Sequence, residues 1–247
     1  MMYTRYTYAA ELARGRRVLE LGCGSGQGLG LVGRTAARLV GGDLSSPLLR
    51  AAQAHYGGRF PLARLSAERL PFADGAFDLV LLFEASYYVP HMDAAFREIA
   101  RVVVRGGVAV FVNANPERPD FIASPHSVHY HTADEFRAAF GAVGFVVTVE
   151  GAFPVEARTA RGPARWVGAL VSLARWILQK LALVPRTLQG RARLKRVVYG
   201  KLRRLPPELP PGFAEVAPRV PLVPGPARDF KVIYVTARRP VRGDAIR

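Results

Sequence analysis

The sequence predicts an α/β fold whose core is a doubly wound, mostly parallel sheet, and three observations support this prediction. Short apolar segments alternate with helical patterns over about the first 150 residues, which is the arrangement of strand–helix–strand units. The apolar segments run without polar interruption, as strands covered on both faces do. Helix-start signals stand between them. At 247 residues, half of them apolar, the chain can form one large domain.

Seven apolar segments are the strand candidates. Five are rich in Val, Leu and Phe, at residues 17–21, 39–43, 77–83, 108–113 and 145–150, and a weaker one lies at residues 62–65. The seventh, residues 231–237 in FKVIYVTARRP, comes after a run that holds eight prolines between Pro206 and Pro226. Proline disfavours regular structure, so we expect this run to be extended.

Two of the helices begin at recognisable capping residues. Ser46 followed by Pro47 matches an N-cap with proline in the first turn. Thr132 with Glu135 three residues later matches a capping box that opens TADEFRAAFGAVG. Both signals fall between strand candidates, as the alternating pattern requires.

The glycine-rich stretch VLELGCGSGQGLG follows the first strand candidate and carries two glycine patterns. Gly28, Gly30 and Gly33 match the dinucleotide pattern G-x-G-x-x-G, which belongs at the strand-to-helix turn. Here the pattern comes about two helical turns too late, where the chain is expected to be helical. We therefore expect these three glycines to serve close helix-to-sheet packing.

The glycine pattern at the turn itself is Glu20-x-Gly22-x-Gly24-x-Gly26. Glycines permit a tight turn and a close approach of the backbone to a ligand. A carboxylate beside the turn repels a pyrophosphate and suits a cationic amino-acid group. Asp43 ends the next strand candidate, where an acid accepts hydrogen bonds from ribose hydroxyls. S-adenosylmethionine (SAM) has a ribose, a cationic amino-acid end and no phosphate.

Four segments together resemble the class I SAM-dependent methyltransferases of the methyltransferase-11 type. They are VLELGCGSGQGLG, GGDLSSPLLRAA, AERLPFADGAFDLVLLFEASYYVP and REIARVVVRGGVAVFVN. The resemblance runs from about Arg16 to Phe153 and resumes at the last strand. It implies a Rossmann-like doubly wound sheet, mostly parallel with an antiparallel terminal strand. Residues 1–247 then form one domain, with a core at about 10–155 and 228–240 and a helical, Pro-rich insertion at about 156–227.

The resemblance also implies a set of cofactor-binding residues. The methionine end of SAM is framed by the turn residues Glu20, Gly22, Cys23, Gly24 and Gly26, and the ribose is held by Asp43. The adenine is expected beside Leu44 and a loop with Ser66, Ala67 and Glu68, and the floor of the site begins at Phe83. The sequence departs from many relatives at Ser66, where they carry an Asp that accepts a bond from the adenine amino group, and a serine accepts it more weakly.

The candidate acceptor pocket and general base come from the residues after strand 77–83. Tyr87 and Tyr88 are candidates for shaping the acceptor pocket. A hydroxyl acceptor needs a base, for which histidine is the first choice near neutral pH. The base candidates are His91, His126 and His129. The alternatives are a helix cap at His91, packing for the tyrosines and a solvated loop for the stretch HSVHYHT, which ends near His131. No carboxylate or cysteine accompanies that stretch, so we predict no metal site.

The chain carries a formal net charge of +16, with 35 Lys and Arg against 19 Asp and Glu. Thirteen basic residues and no acid lie between Arg158 and Arg204. This segment suits a lid over the acceptor, an interfacial helix on an anionic membrane or lipid-linked acceptor, or a homodimer contact. Nucleic acid is disfavoured because long aliphatic runs separate the arginines. A general compositional bias toward Arg, Ala, Gly and Pro is an equally good explanation of the charge.

The expected location and function follow from these patterns. A single cysteine and an N-terminus without an apolar signal region predict a cytoplasmic protein, with the inner membrane face as a further site. We expect a SAM-dependent methyltransferase of a small-molecule acceptor, with a sugar or glycolipid hydroxyl as the leading candidate. The alternatives are a secondary-metabolite scaffold as acceptor, an RNA methyltransferase, and a non-catalytic SAM-fold module that binds a membrane or partner through Arg158 to Arg204.

Overall fold

A computed structural model describes residues 1–155 and 205–241. Within these ranges one sheet has eight strands in the order β3-β2-β1-β4-β5-β8-β6-β7. In chain order the strands are Arg17–Leu21 (β1), Arg38–Asp43 (β2), Leu62–Arg64 (β3), Phe77–Phe83 (β4), Val103–Ala114 (β5), Val146–Pro154 (β6), Arg219–Pro221 (β7) and Phe230–Arg238 (β8). All seven predicted strands are present, with some bounds shifted. The longest extension is that of β5, which begins five residues before the predicted residue 108.

The strand directions confirm the predicted fold class. Strands β1 to β5 pair with one another in parallel. Strand β8 is antiparallel to both β5 and β6, and it lies between them. Because β4 and β1 are central neighbours while β2 and β3 extend to one side, the chain winds in both directions from β1. The carboxyl ends of β1, β2, β4 and β5 therefore lie along one edge of the sheet.

Five α-helices accompany the sheet in the described part of the chain. They are Met2–Leu12 (α1), Leu29–Gly33 (α2), Ser46–Tyr56 (α3), Met92–Val102 (α4) and Ala133–Ala142 (α5). The capping box of α5 is confirmed, since the Glu135 amide donates to Thr132 Oγ1 (3.2 Å) and the Thr132 amide to Glu135 Oε2 (2.7 Å). The predicted cap of α3 is wrong by one residue: Ser45 is the N-cap, and Ser46 is already helical.

Two hydrophobic clusters cover the two faces of the sheet. Along β4, Leu79 and Leu81 belong to the cluster that includes residues of α1 and α2, whereas Val80 and Leu82 belong to the cluster that includes α4 and α5. Alternate side chains of one strand thus enter different cores. This is why the strand segments are apolar without interruption.

The stretch 205–218, called the return segment here, packs on the same compact unit as the sheet. Its Leu209 is fully buried, and the Leu209 amide donates to the carbonyl of Gln27 (2.8 Å). The next residues form β7, which pairs with β6. The insertion was predicted at residues 156–227. Its C-terminal part therefore includes a strand of the sheet, β7, that the sequence did not predict.

The remaining part of the insertion, including Arg158 to Arg204, lies outside the described residues. Ser124–His126 and Val155 belong to a second compact unit. Within residues 1–155 and 205–241, no helix has the length and apolarity needed to cross a membrane.

Candidate active site

The glycine turn after β1 has a backbone that only glycine adopts readily. Gly22, Gly24 and Gly26 have φ values of 69°, 58° and 83°, which place them in the left-handed region. A Cβ at Gly22 would lie 2.7 Å from the Cβ of Ala85, and one at Gly26 would lie 2.8 Å from the Tyr56 ring. A Cβ at Gly24 would meet nothing within 4 Å. The backbone at Gly24 is therefore open to a ligand.

Asp43, the last residue of β2, ties the glycine turn to the loop after β2. Its Oδ2 accepts a hydrogen bond from the Gly24 amide (2.8 Å), and its Oδ1 accepts one from the Ser45 amide (2.7 Å). The next residue, Leu44, exposes 58% of its surface. An acid that orders two loops beside an exposed apolar side chain suits the ribose and adenine of a nucleoside.

Replacing Asp43 by Asn is expected to lower the free energy of unfolding by about 1–3 kcal/mol. Both carboxylate oxygens accept backbone amides, and the NH₂ of Asn would face one of these donors. Thermal denaturation without ligand measures the effect. The matched control is Asp74→Asn, because the Asp74 side chain is 82% exposed and its ion pair with Arg101 lies at the surface. Equal melting temperatures for the two variants would contradict the assigned role of Asp43.

Glu20 is buried on β1, with 1% of its surface exposed. The Tyr6 hydroxyl of α1 donates to Glu20 Oε1 at 2.5 Å, while Oε2 is buried and has no hydrogen-bond partner among the described residues. Burial raises the pKa of Glu20 to about 7, although the Tyr6 hydrogen bond and the charge of Arg5 act in the opposite direction. A buried carboxylate with one free oxygen is suited to bind a cationic group.

The predicted adenine-side loop is connected to the segment that carries His91. The Ser66 hydroxyl oxygen accepts a hydrogen bond from the Glu68 amide (3.2 Å), and the Glu68 side chain accepts one from the His91 amide (2.8 Å). Ala67 between them is buried in the core. The structure thus brings Ser66, Glu68 and the backbone of His91 together.

The carboxyl end of β4 leads into an aromatic cluster. Glu84 has a φ of 51°, accepts a hydrogen bond from the Tyr87 hydroxyl (3.0 Å) and pairs with Arg5 of α1 (3.2 Å). Tyr87 is buried and stacks on Tyr130 with ring centroids 4.1 Å apart. Burial and the charge of Glu84 raise the pKa of Tyr87 well above its usual value. Tyr88, by contrast, exposes 43% of its surface.

The four histidines considered in the sequence occupy different surroundings. His91 is the exposed N-cap of α4, but its side chain makes no capping hydrogen bond. His126 lies in a turn with a φ of 66°. His129 is within 3.2 Å of Glu135 and rests on His131 with ring centroids 4.6 Å apart. Burial lowers the pKa of His131. In the described part of the chain, no group of three or more metal-ligating side chains is found.

Cys23 and the three later glycines serve packing. Cys23 is buried, and burial raises the pKa of its thiol, which disfavours the nucleophilic thiolate. A Cβ at Gly28 would enter the Tyr6 ring, one at Gly30 the Glu208 carboxylate and one at Gly33 the Phe60 ring. The side chains that these glycines admit come mainly from α1 and from loops. A Cβ at Gly33 would also lie 3.5 Å from Leu39 of β2, so close packing of the helix on the sheet involves this glycine.

Sequence reasoning missed α1 and the residues it contributes. Tyr6 also packs edge-on against Phe83, with ring centroids 5.4 Å apart, and Arg5 reaches Glu84 at the end of β4. A signal was present, because Tyr3, Tyr6 and Ala10 follow helical spacing in MYTRYTYAAEL. Nothing in that spacing indicates which strands the helix covers.

Comparisons with known proteins agree with this geometry. Residues 19–111 match the family model described as a methyltransferase domain. This part of the chain is therefore similar to the SAM-dependent methyltransferases. The cofactor that this family implies is SAM. The residues present fit it: Glu20 has a free buried oxygen, and the open backbone at Gly24 lies between Glu20 and Asp43 along the chain.

Two curated relatives and one solved structure illustrate the similarity. The chain is 36% identical over 118 residues to phthiotriol/phenolphthiotriol dimycocerosates methyltransferase 1 of Mycobacterium ulcerans, covering 47% of this chain and 43% of that protein. It is 36% identical over 113 residues to a fatty-acid O-methyltransferase of Mycolicibacterium smegmatis, covering 44% and 41%. The YcgJ protein of Bacillus subtilis shares the fold, with a TM-score of 0.61, 16% identity and coverage of 98% and 100%. The chain therefore spans less than half the length of these curated relatives.

Proposed function

We propose that the protein is a SAM-dependent methyltransferase that methylates a hydroxyl group of a lipid-linked or sugar-bearing small molecule. The observation that carries the proposal is the pair of carboxylates around the glycine turn. Glu20 is the second-last residue of β1, and Asp43 is the last residue of the adjacent parallel strand β2. The turn that follows β1 contains three glycines in the left-handed region. This arrangement suits the cationic and ribose ends of SAM.

The proposed lipid or glycolipid acceptor is supported by the curated relatives and by the aromatic cluster after β4. One relative is named for fatty acids and another for phthiotriol dimycocerosates. Tyr87, Tyr130 and Phe121 form a continuous aromatic cluster, since Tyr130 stacks on Tyr87 and its ring centroid lies 4.7 Å from that of Phe121. Aromatic side chains of this kind pack against acyl chains and the apolar faces of sugars.

The protein contributes to methyl transfer by binding and orienting two partners. Bound SAM supplies a methyl group activated by a positively charged sulfur. Glu20 and Asp43 hold the two ends of the donor, and Tyr87 with Tyr130 forms a wall for the acceptor. Positioning of this kind lowers a barrier by about 7–11 kcal/mol in favourable cases. His91 is the proposed general base for the acceptor hydroxyl, with His126 and His129 as the alternative candidates.

Calorimetric titration with SAM and with its demethylated product tests the donor half of the proposal. We expect saturable binding of both at sub-millimolar concentrations, and the absence of heat would overturn the proposal. Glu20→Ala and Asp43→Ala should weaken binding. The control is Asp120→Ala, since Asp120 is a partly exposed carboxylate outside the glycine turn, paired with Arg118.

Incubation with labelled SAM and fractionated cell extract tests the acceptor half. Labelled product in the lipid fraction, identified as a methyl ether by mass spectrometry, is the expected result. Label in a non-lipid scaffold would support the secondary-metabolite alternative, and label in RNA would contradict the small-molecule acceptor. Donor binding without any labelled product, together with liposome sedimentation that depends on Arg158 to Arg204, would favour the non-catalytic module.

A further inference from the structure

We propose that Tyr6 of α1 is a positioning residue of the donor site, holding the Glu20 carboxylate so that its free oxygen binds the amino group of the methyl donor. The inference rests on the proposed function, because it assigns a role at the same site. It adds α1, which precedes the matched methyltransferase domain, to the residues that make donor binding work.

The contact between Tyr6 and Glu20 is buried on both sides. Tyr6 is 7% exposed and Glu20 is 1% exposed. The hydroxyl donates to Oε1, so that oxygen is used, and Oε2 is the one left for a cation. Rotating the carboxylate would break a hydrogen bond to a charged group in a dry environment, which is costly. Tyr6 therefore determines which oxygen of Glu20 is available.

The ring of Tyr6 is itself held in place. It packs edge-on against Phe83, and the missing side chain at Gly28 leaves the space that the ring fills. The Arg5–Glu84 pair anchors the same turn of α1 to the end of β4. With these contacts the Tyr6 hydroxyl has little freedom to leave Glu20.

The return segment holds α1 through two further hydrogen bonds. The Gly212 amide donates to the Tyr3 hydroxyl (2.5 Å), and the Ala217 amide donates to Thr4 Oγ1 (3.2 Å). The same segment reaches the glycine turn through the amide of Leu209, which donates to the Gln27 carbonyl. Helix α1 is thus a fixed part of the wall, connected to the turn that it serves.

The charge state of Glu20 depends on groups from several elements. Arg5 of α1 and the Tyr6 hydrogen bond favour the carboxylate, whereas Asp43 of β2 and burial favour the neutral acid. The charge of Glu20 in turn raises the pKa values of Cys23 and Tyr56. With a pKa of about 7, Glu20 loses its negative charge as the pH falls below neutrality. An α-amino group loses its positive charge above about pH 8, so the ionic contact should be strongest near pH 7–8.

The experiment measures the affinity of the demethylated donor product calorimetrically from pH 5.5 to 8.5 for wild type, Tyr6→Phe and Tyr8→Phe. Tyr6→Phe removes only the hydroxyl, and we expect about tenfold weaker binding at pH 7. Without that hydrogen bond the pKa of Glu20 rises, so the loss of affinity toward acid should begin at a higher pH. Tyr8→Phe is the matched control, since the Tyr8 hydroxyl bonds Thr236, and it should bind as wild type.

A double variant separates positioning from general packing. If Tyr6 acts through Glu20, then Tyr6→Phe added to Glu20→Gln should weaken binding no further, and Glu20→Gln alone should remove the acidic fall in affinity. Equal binding by Tyr6→Phe and Tyr8→Phe at every pH would overturn the inference. So would an additive loss in the double variant. Wild type that binds no donor product would instead overturn the proposed function.

Discussion

Gly22→Ala is expected to reduce donor binding by more than about a hundredfold and to lower the melting temperature by several degrees. At a φ of 69°, alanine pays about 1–2 kcal/mol of backbone strain. Its Cβ would also lie 2.7 Å from the Cβ of Ala85, and such overpacking costs about 1–3 kcal/mol more. The turn must then move, and it carries the backbone that we propose to contact the donor. Calorimetric titration and thermal denaturation measure the two effects.

Gly57→Ala is the matched control for the strain. Gly57 ends α3 with a φ of 56°, and a Cβ there meets nothing within 4 Å. It should cost a similar strain energy, while donor binding stays within about twofold of wild type. Gly24→Ala is a second comparison, since its Cβ also meets nothing. We expect it to fold nearly as well as Gly57→Ala but to lose binding, because the methyl group would occupy the open space. Wild-type affinity in Gly22→Ala and Gly24→Ala would contradict the assigned donor site.

His91→Ala is expected to lower kcat by about 10²–10⁴-fold, as removal of a general base does. Donor binding should be unchanged, because the contact between His91 and Glu68 uses the backbone amide. The measurement is steady-state kinetics with the acceptor identified by labelling. Added imidazole should restore part of the rate in the variant, since a small base from solvent can reach the exposed position that the His91 side chain occupied.

His129→Ala is the control for this assignment. His129 is exposed and pairs with Glu135 on α5, so its removal should leave kcat within about twofold of wild type and cost less than about 1 kcal/mol of stability. The opposite result, a large loss of kcat in His129→Ala with little change in His91→Ala, would move the base to the stretch HSVHYHT. If both variants keep the kcat of wild type, neither His91 nor His129 is the base.

The elements that the sequence predicted well are those with local signals. The strands of the parallel sheet are apolar on both faces, and the capping box at Thr132 depends on residues three positions apart. The ends of elements were predicted less accurately. The N-cap of α3 is Ser45 and not Ser46, and this choice depends on the single hydrogen bond from the Leu48 amide to Ser45 Oγ. Strand β7 was missed because it is short and carries a weak signal. It has only three residues, of which one is an arginine and one a proline, and it lies in a Pro-rich run.

The surroundings of each site residue could not be predicted in the same way. The local signal for Glu20 was its place beside a glycine turn, but its burial and its hydrogen bond to Tyr6 depend on α1 covering β1 and β4. Likewise, Glu84 follows a predicted strand, yet its partners Arg5 and Tyr87 come from different parts of the chain. Such contacts depend on strand order, which no local pattern encodes.

The sequence by itself determined the local structure of the proposed donor half of the site. Glu20, the glycines with their left-handed backbone and Asp43 at the end of the next strand are specified by residue type and short spacing, because backbone sterics and charge act locally. Only the tertiary structure decided that Tyr6 holds Glu20 and that Arg5 reaches Glu84. Those contacts exist because α1 packs across strands that are distant in the chain, where long-range burial rather than local preference sets which side chains meet.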